Sequence, residues 1–260
     1  MRQLKFVLFA HPRSGSSNLY EALQLHPDLD ILEEPFNEGF NRWRPDEPNY
    51  LSLVKDEVSL DEQLASIFSR YNGIKALNYQ LPQTLYRRML VHSATHVIFL
   101  RRRNLLRSEV SGQLAKYSGL WKKWEQQKAF DELYKGLPSL PVDVLHQRVR
   151  DLREQLDRYQ EMIASRDPAS VINLVYEDFY YSSAQYRRDT FARILKFLGV
   201  APFWDDKVSF FLEPETGRIN SDDTYRYIPN AREIDLACGC ADTGWLFERN
   251  SDTLPPSDRK

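Results

Sequence analysis

An α/β fold, a doubly wound parallel β-sheet flanked by helices, is what this sequence predicts, and three observations predict it. Short apolar runs recur at Phe6 to Ala10, Leu29 to Leu32, Gly73 to Leu77, Thr95 to Leu100 and Val171 to Tyr176. They are largely continuous rather than alternating, the pattern of strands buried on both faces. Helical segments separate them, which implies parallel pairing through helical crossovers. With 260 residues, 42% of them hydrophobic and 28% charged, the chain can bury a substantial core. Residues 1–250 are assigned to one domain, and residues 251–260, with Pro255-Pro256 and mixed charges, to a disordered tail.

The first strand, Phe6 to Ala10, halts at Pro12 and passes through Gly15 into a helical pattern. Ser14 to Ser17 supply a short loop of backbone N–H groups, and Asn18 begins the helix. A strand, loop and helix N-terminus in this order aim amide donors and the positive dipole end at one anion, a phosphate or sulfate. Arg13 adds a fork of charged donors. The loop lacks the Gly-Lys-Ser/Thr of a nucleotide triphosphatase and the Gly-x-Gly-x-x-Gly of a dinucleotide-binding turn, so both of those readings fail.

His26-Pro27 ends the turn after the first helix, and the second strand, Leu29 to Leu32, carries Glu33 and Glu34 at its carboxyl end. Lys75 lies at the end of the third strand. Val97 to Leu100 forms the core of the fourth, followed by Arg101-Arg102-Arg103-Asn104 and a helix from Leu105 to Tyr117. The carboxyl ends of strands form the ligand crevice of an α/β sheet, so the arginines fall where the first loop opens. Ser111, eight positions after Arg103, stands about two helical turns on. The two sites together favour a ligand with two separate anionic ends. In the helix Val142 to Ser165, Leu145, Val149, Leu152, Leu156, Tyr159 and Ile163 mark one buried face. Its Arg, Asp and Glu residues form a solvated, ion-paired surface without chemistry.

With these residues in view the chain resembles the sulfotransferases that use 3′-phosphoadenosine 5′-phosphosulfate (PAPS). Pro12-Arg13-Ser14-Gly15-Ser16-Ser17-Asn18-Leu19 is similar to the loop that binds the 5′-phosphosulfate in that family, with Arg13 at the basic position. Arg103 and Ser111 match the family's 3′-phosphate site, an Arg after a later strand with a Ser eight residues on. Val175-Tyr176-Glu177-Asp178-Phe179 resembles a strand end whose Tyr, here Tyr176, approaches the nucleotide, and Phe191 to Val200 resembles the helix that closes that region. The resemblance spans residues 5–200 and is weaker around Ser221 to Asn230. It implies a P-loop-like sheet and transfer of a sulfuryl group by in-line displacement, with Arg13, Ser14, Gly15, Ser16, Ser17, Asn18, Arg103, Ser111 and Tyr176 on the nucleotide.

Such an enzyme needs a base beside the loop to take the proton of the acceptor's hydroxyl or amine. Leu32-Glu33-Glu34-Pro35-Phe36 resembles the Glu-Pro segment of carbohydrate sulfotransferases, so Glu34 is assigned as the base, with Glu33 as its nearest rival and His11 as a minority candidate. Lys75 is expected to add positive charge near the transferring sulfate, as a similarly placed Lys does in parts of the family. Sulfuryl transfer moves less charge than phosphoryl transfer, so amides, hydroxyls and one or two cations suffice and no metal is expected. The five His are scattered, and Cys238 and Cys240 lack a second pair at zinc spacing. A nucleoside-phosphate kinase-like phosphotransferase and a noncatalytic nucleotide-binding protein are the alternatives; the first would need a Lys-bearing loop and magnesium ligands, the second no Glu34.

A net charge of −2 argues against a nonspecific nucleic-acid binder, although Lys122-Lys123 and the arginine triplet concentrate positive charge. No apolar run reaches the length of a membrane span. The charged start, the lack of a secretory pattern and only two Cys imply a cytoplasmic enzyme, or a domain of a longer protein. Two aromatic stretches could form the acceptor pocket: Phe36, Phe40, Trp43 and Tyr50, and Tyr117, Trp121, Trp124 and Phe130. Arg218, Ser221 and Arg226 could cover the nucleotide's 3′ end, although the Arg-Lys-Gly signature of cytosolic members is absent. The Glu-Pro segment leans toward a carbohydrate acceptor, with a lipid or other small alcohol open. Composition is silent on oligomeric state.

Overall fold

A computed structural model describes residues 4–91, 95–121, 130–213 and 222–247. In chain order its elements are β1 (Phe6–Ala10), α1 (Ser16–Gln24), β2 (Ile31–Glu33), α2 (Phe40–Trp43), α3 (Tyr50–Leu53), α4 (Glu57–Phe68), β3 (Gly73–Leu77), α5 (Gln83–Val91), β4 (His96–Arg101), α6 (Leu105–Ser118), α7 (Phe130–Leu133), α8 (Val142–Ala164), β5 (Val171–Val175), α9 (Tyr176–Tyr180), α10 (Ala184–Phe197), α11 (Asp206–Leu212), α12 (Asp222–Tyr225) and α13 (Ala231–Cys238). Two compact units make up the chain, residues 1–102 with 157–217 and residues 103–156 with 218–260.

The first unit holds the sheet. Its five strands are all parallel, in the order β2-β3-β1-β4-β5. From β1 the chain crosses toward β2, and from β4 it proceeds to β5 on the opposite side, so the direction of winding switches between β1 and β4. Ligand crevices form at the carboxyl ends of strands at such a switch point. Here those ends are Ala10 and Arg101.

Successive β1 side chains point to opposite faces, and every one is buried. Phe6, Leu8 and Ala10 join the core formed with α1, α10 and α11, including Leu19, Leu23, Phe191, Ile194 and Val208. On the other face Phe9 packs against Tyr86, Phe99 and Tyr159 at ring-centroid distances of 5.0, 5.7 and 4.9 Å. Burying rings of this size contributes about 1.5–3 kcal/mol each relative to exposure. Helices therefore cover both faces, as the continuous apolar runs predict.

Boundaries differ from the sequence reading at several elements, and four of them show the cause. Helix α1 begins at Ser16 rather than Asn18, because Gly15 (φ 82°) turns the chain and its carbonyl already accepts the Leu19 N–H. Strand β2 starts at Ile31, since Leu29 N–H and Asp30 N–H are still held by His26 O and Asn72 Oδ1. Strand β5 stops at Val175, so Tyr176 opens a helix instead of ending a strand. Helix α10 runs from Ala184, where the Ser183 side chain accepts the Tyr186 N–H, to Phe197. Beyond it Gly199 (φ 72°) lets Val200 N–H return to Leu195 O.

In the second unit, Asn104 caps α6 by accepting the Arg107 N–H at 2.9 Å, and Leu106 N–H reaches Thr243 O. Asn104 Nδ2 and Arg107 Nε both donate to Trp245 O. The segment around Thr243 to Leu246 thus closes the N-terminal end of α6. Asn230 is bonded both ways to the Leu140 backbone. Along α8, which the unit boundary divides after Leu156, the six residues expected on one apolar face are all buried. No helix among the described residues is long and apolar enough to cross a membrane.

Candidate active site

The loop after β1 is built by backbone conformations that few residues adopt. Arg13 (φ 64°) and Gly15 (φ 82°) are both left-handed. Among the described residues Arg13 and Glu34 (φ 51°) are the only non-glycines with positive φ, and both are candidate catalytic residues. Such conformations cost about 1–3 kcal/mol and persist where surrounding contacts over-determine them.

Those contacts are present at both positions. The Arg13 carbonyl accepts Arg102 Nη1 at 3.0 Å. Arg102 is itself buried, with its guanidinium 4.8 Å from the Tyr176 ring centre and Nε 3.8 Å from Glu177 Oε1. Ser14 is fully buried and its hydroxyl donates to His11 O at 2.7 Å, so its side chain holds the loop together. Tyr180 OH donates to Gly15 O at 2.7 Å. A Cβ on Gly15 would stand 2.7 Å from the Tyr180 ring and 2.9 Å from the Tyr176 ring. We expect Gly15→Ala to lower stability by more than the roughly 1 kcal/mol of its left-handed φ alone and to weaken anion binding at the loop. Thermal unfolding together with titration of adenosine 3′,5′-bisphosphate (PAP) checks this.

No side chain caps α1. The N–H groups of Ser16 and Ser17 precede the first residue bonded back to Gly15, so they point beyond the helix end as donors for an anion. Ser17 Oγ faces elsewhere and accepts Lys75 Nζ at 2.9 Å. Asn18 Nδ2 donates to Phe211 O at 3.0 Å, which ties α1 to α11. Tyr176 packs on the loop through Gly15 and Arg102.

Lys75 lies in the middle of β3, not at its end. It is fully buried and directly opposite Glu33 in the β2–β3 register. Its three N–H donors are all used, to Ser17 Oγ, Glu33 Oε1 and Glu34 Oε1, each at 2.9 Å. Burial alone lowers its pKa, but Glu34 and Glu33 reverse this and hold the ammonium charged, above the ordinary lysine range. One cation and two carboxylates sum to −1, so the cluster brings no net positive charge to an anion. A hydrogen bond from Lys75 to a sulfuryl oxygen would require one of the three existing bonds to break. What the cluster does is join Glu34 to α1, one ammonium away from Ser17.

Glu34 follows the last β2 residue, and its N–H continues the ladder by donating to Lys75 O at 2.9 Å. Its carboxylate also accepts from Asn37 Nδ2 and Gln80 Nε2, both on Oε2 at 2.8 Å. Tyr79, 59% exposed, accepts a second Asn37 Nδ2 contact at 3.1 Å. Burial and the Glu34 charge push the Tyr79 phenol up from its usual pKa. Both Glu33 and Glu34 keep some side-chain exposure, 17% and 14%.

His11 is not in that position. It is fully buried, and among the described residues neither ring nitrogen has a hydrogen-bond partner. Burial first, and the Arg102 charge second, lower its pKa from 6.5 to about 3. A ring so shielded is a poor base at neutral pH. In the unfolded chain it takes a proton below 6.5 while in the folded chain it does not, so stability falls as pH drops from 6.5 toward 3. We expect His11→Leu to flatten the acid side of the stability profile across that window, read from unfolding midpoints between pH 7 and 4.

Arg103 and Ser111 both belong to the second unit, Arg103 exposed just before the α6 cap and Ser111 buried within the helix. Of the aromatic acceptor candidates, Phe36, Phe40 and Tyr50 are core residues and are corrected to structural roles, whereas Trp43, Tyr117 and Trp121 are exposed. Trp124, Lys122, Lys123, Arg218, Ser221, the Phe130 side chain and the 251–260 tail lie outside the described residues. Sequence reasoning missed Arg102, Asn37, Gln80 and Tyr180. The arginine triplet was the only signal for Arg102, and nothing in it separates the buried member from its neighbours.

No protein-family model and no curated protein matches this chain. Among solved structures it is similar to a sulfotransferase from Alicyclobacillus acidocaldarius, at 16% identity over 91% of this chain and 96% of that one, with a TM-score of 0.45. It is similar to the sulfotransferase domain from the curacin biosynthetic pathway, at 13% identity over 91% and 90% of the two chains, with a TM-score of 0.46. It is also similar to mouse sulfotransferase SULT7A1 complexed with PAP, at 16% identity over 86% of this chain and 66% of that one, with a TM-score of 0.41.

Proposed function

We propose that this protein is a sulfotransferase that moves the sulfuryl group of PAPS to a hydroxyl of a carbohydrate or other small molecule, with Glu34 as general base. The observation that supports this reading is the link from Ser17 in the first turn of α1 through Lys75 to the partly exposed Glu34 carboxylate. In the proposed reaction the Ser16 and Ser17 amides, the Gly15 turn and Arg13 hold the 5′-phosphosulfate. The acceptor O–H gives its proton to Glu34, and its oxygen forms the new bond to sulfur. The bond from sulfur to the 5′-phosphate breaks in line, and its electron pair stays on the phosphate, where loop donors stabilise the developing charge.

Arg103 and Ser111 are proposed to take the 3′-phosphate, with Tyr176 near the nucleotide. Because Asn104 and Thr243 already occupy amides at the start of α6, that recognition would fall to side chains. The loop carries no Gly-Lys-Ser/Thr, which favours this reading over a kinase-like phosphotransferase. A cytoplasmic location and the absence of a metal requirement belong to the same proposal.

Titration with PAP, ADP and ATP tests donor class, with PAP expected to bind tightest and Arg103→Ala to weaken it by about tenfold. A screen with ³⁵S-labelled PAPS over sugars, lipids and phenols tests catalysis and identifies the acceptor. Preference for ATP, or no transfer to any of the three classes, would overturn the reading.

A further inference from the structure

Each carboxylate oxygen has two lone pairs, so the hydrogen bonds on Glu34 can be accounted for atom by atom. Oε2 accepts two, from Asn37 Nδ2 and Gln80 Nε2, both at 2.8 Å. Oε1 accepts one, from Lys75 Nζ at 2.9 Å. The orientation of both amides is settled by their other ends. Gln80 Oε1 accepts the buried Leu77 N–H at 3.0 Å, and Asn37 Oδ1 accepts the Gly39 N–H at 2.9 Å. Turned the other way, each would bring an NH₂ against an N–H and a carbonyl oxygen against a carboxylate. Both amides therefore face Glu34 as donors.

From this geometry we infer that Asn37 and Gln80 are positioning residues for the base: they fill Oε2 and leave Oε1 as the oxygen that receives the acceptor's proton. The inference rests on the reading of Glu34 as base and extends it to the two residues that hold its carboxylate. Three fixed donors, on three different segments, define the carboxylate plane and aim the open lone pair of Oε1. Gln80 comes from the turn after β3, Asn37 from the turn after Glu34, and Lys75 from within β3. The other titratable groups facing Glu34 are Glu33, which shares Lys75, and Tyr79, which shares Asn37.

The test replaces one NH₂ by oxygen and changes nothing else in outline. Asn37→Asp and Gln80→Glu each keep an acceptor for the Gly39 or Leu77 N–H but turn a donor into a carboxylate that repels Glu34. On the full chain, kcat and the KM for PAPS are measured by ³⁵S transfer to pooled sugars, phenols and alcohols, for each variant alone and combined with Glu34→Gln.

Each variant is expected to lower kcat about tenfold or more in the wild-type background, with the KM for PAPS unchanged, and to cost no further turnover in the Glu34→Gln background. A merely structural role would cost the same factor in both backgrounds; that result overturns the inference. If either variant fails to fold, the other carries the test. Should Glu34→Gln retain full transfer, the base reading falls and takes the catalytic meaning of this inference with it. An unchanged kcat, or equal losses in the two backgrounds, beside a Glu34→Gln variant of lowered turnover overturns the positioning role alone.

Discussion

Glu34→Gln is expected to lower turnover by about 10²–10⁴-fold while PAP still binds, because an amide of nearly the same shape accepts no proton at neutral pH. Affinity should survive because the proposed anion site consists of the α1 amides, Gly15 and Arg13, none of which bonds to the Glu34 side chain. The substitution also has a structural cost. In either orientation the new NH₂ would face a donor, Lys75 Nζ in one and Asn37 Nδ2 with Gln80 Nε2 in the other, at a loss of about 1–3 kcal/mol. Turnover should therefore be compared at a temperature where unfolding shows both proteins intact. Glu33→Gln is the companion measurement: it keeps Lys75 paired with Glu34 and should retain turnover. Equal activity in Glu34→Gln and wild type would remove the base assignment, and loss in Glu33→Gln alone would transfer it to Glu33.

Lys75→Met should destabilise the protein by about 3 kcal/mol. It removes the ammonium that bonds both carboxylates and leaves Glu33 and Glu34 beside each other against an apolar thioether. The figure stands at the low end for a broken buried pair because both carboxylates keep partial access to water. The sign of the pH dependence follows from the direction of the Lys75 shift. A lysine whose folded-state pKa is raised contributes its full stability below its unfolded value of about 10.4 and loses it only as pH rises past that value. At neutral pH the variant therefore bears the entire loss. Chemical denaturation at neutral pH measures it, and a loss that adding Glu33→Gln and Glu34→Gln does not reduce would show that lost packing, not charge, is the cause.

The parts of this molecule legible in its sequence are those encoded within a few residues. Phe6 to Ala10 and Gly73 to Leu77 are strands with the bounds their apolar runs predict, and the repeat from Leu145 to Ile163 is one buried helical face. The turn at Gly15 and the acids after β2 are likewise punctuated by Pro and Gly along the chain. At β2 the boundary moved partly because a partner distant in sequence, Asn72, holds Asp30 out of the strand.

What Lys75 does could not be read from the chain, because it depends on register. Parallel pairing of β2 with β3 sets Glu33 opposite Lys75, 42 residues away, and side chains opposite each other on one face meet. The same holds for Arg102, distinguished from Arg101 and Arg103 only by the pocket that Arg13 O, Tyr176 and Glu177 make around it. Sequence alone determined the order and type of the elements and the chemistry available at the strand ends, since hydrophobic periodicity and turn residues act locally. Tertiary structure alone decided which charges are buried together and which carboxylate oxygen is left open, since burial and hydrogen-bond partners exist only once distant segments have packed.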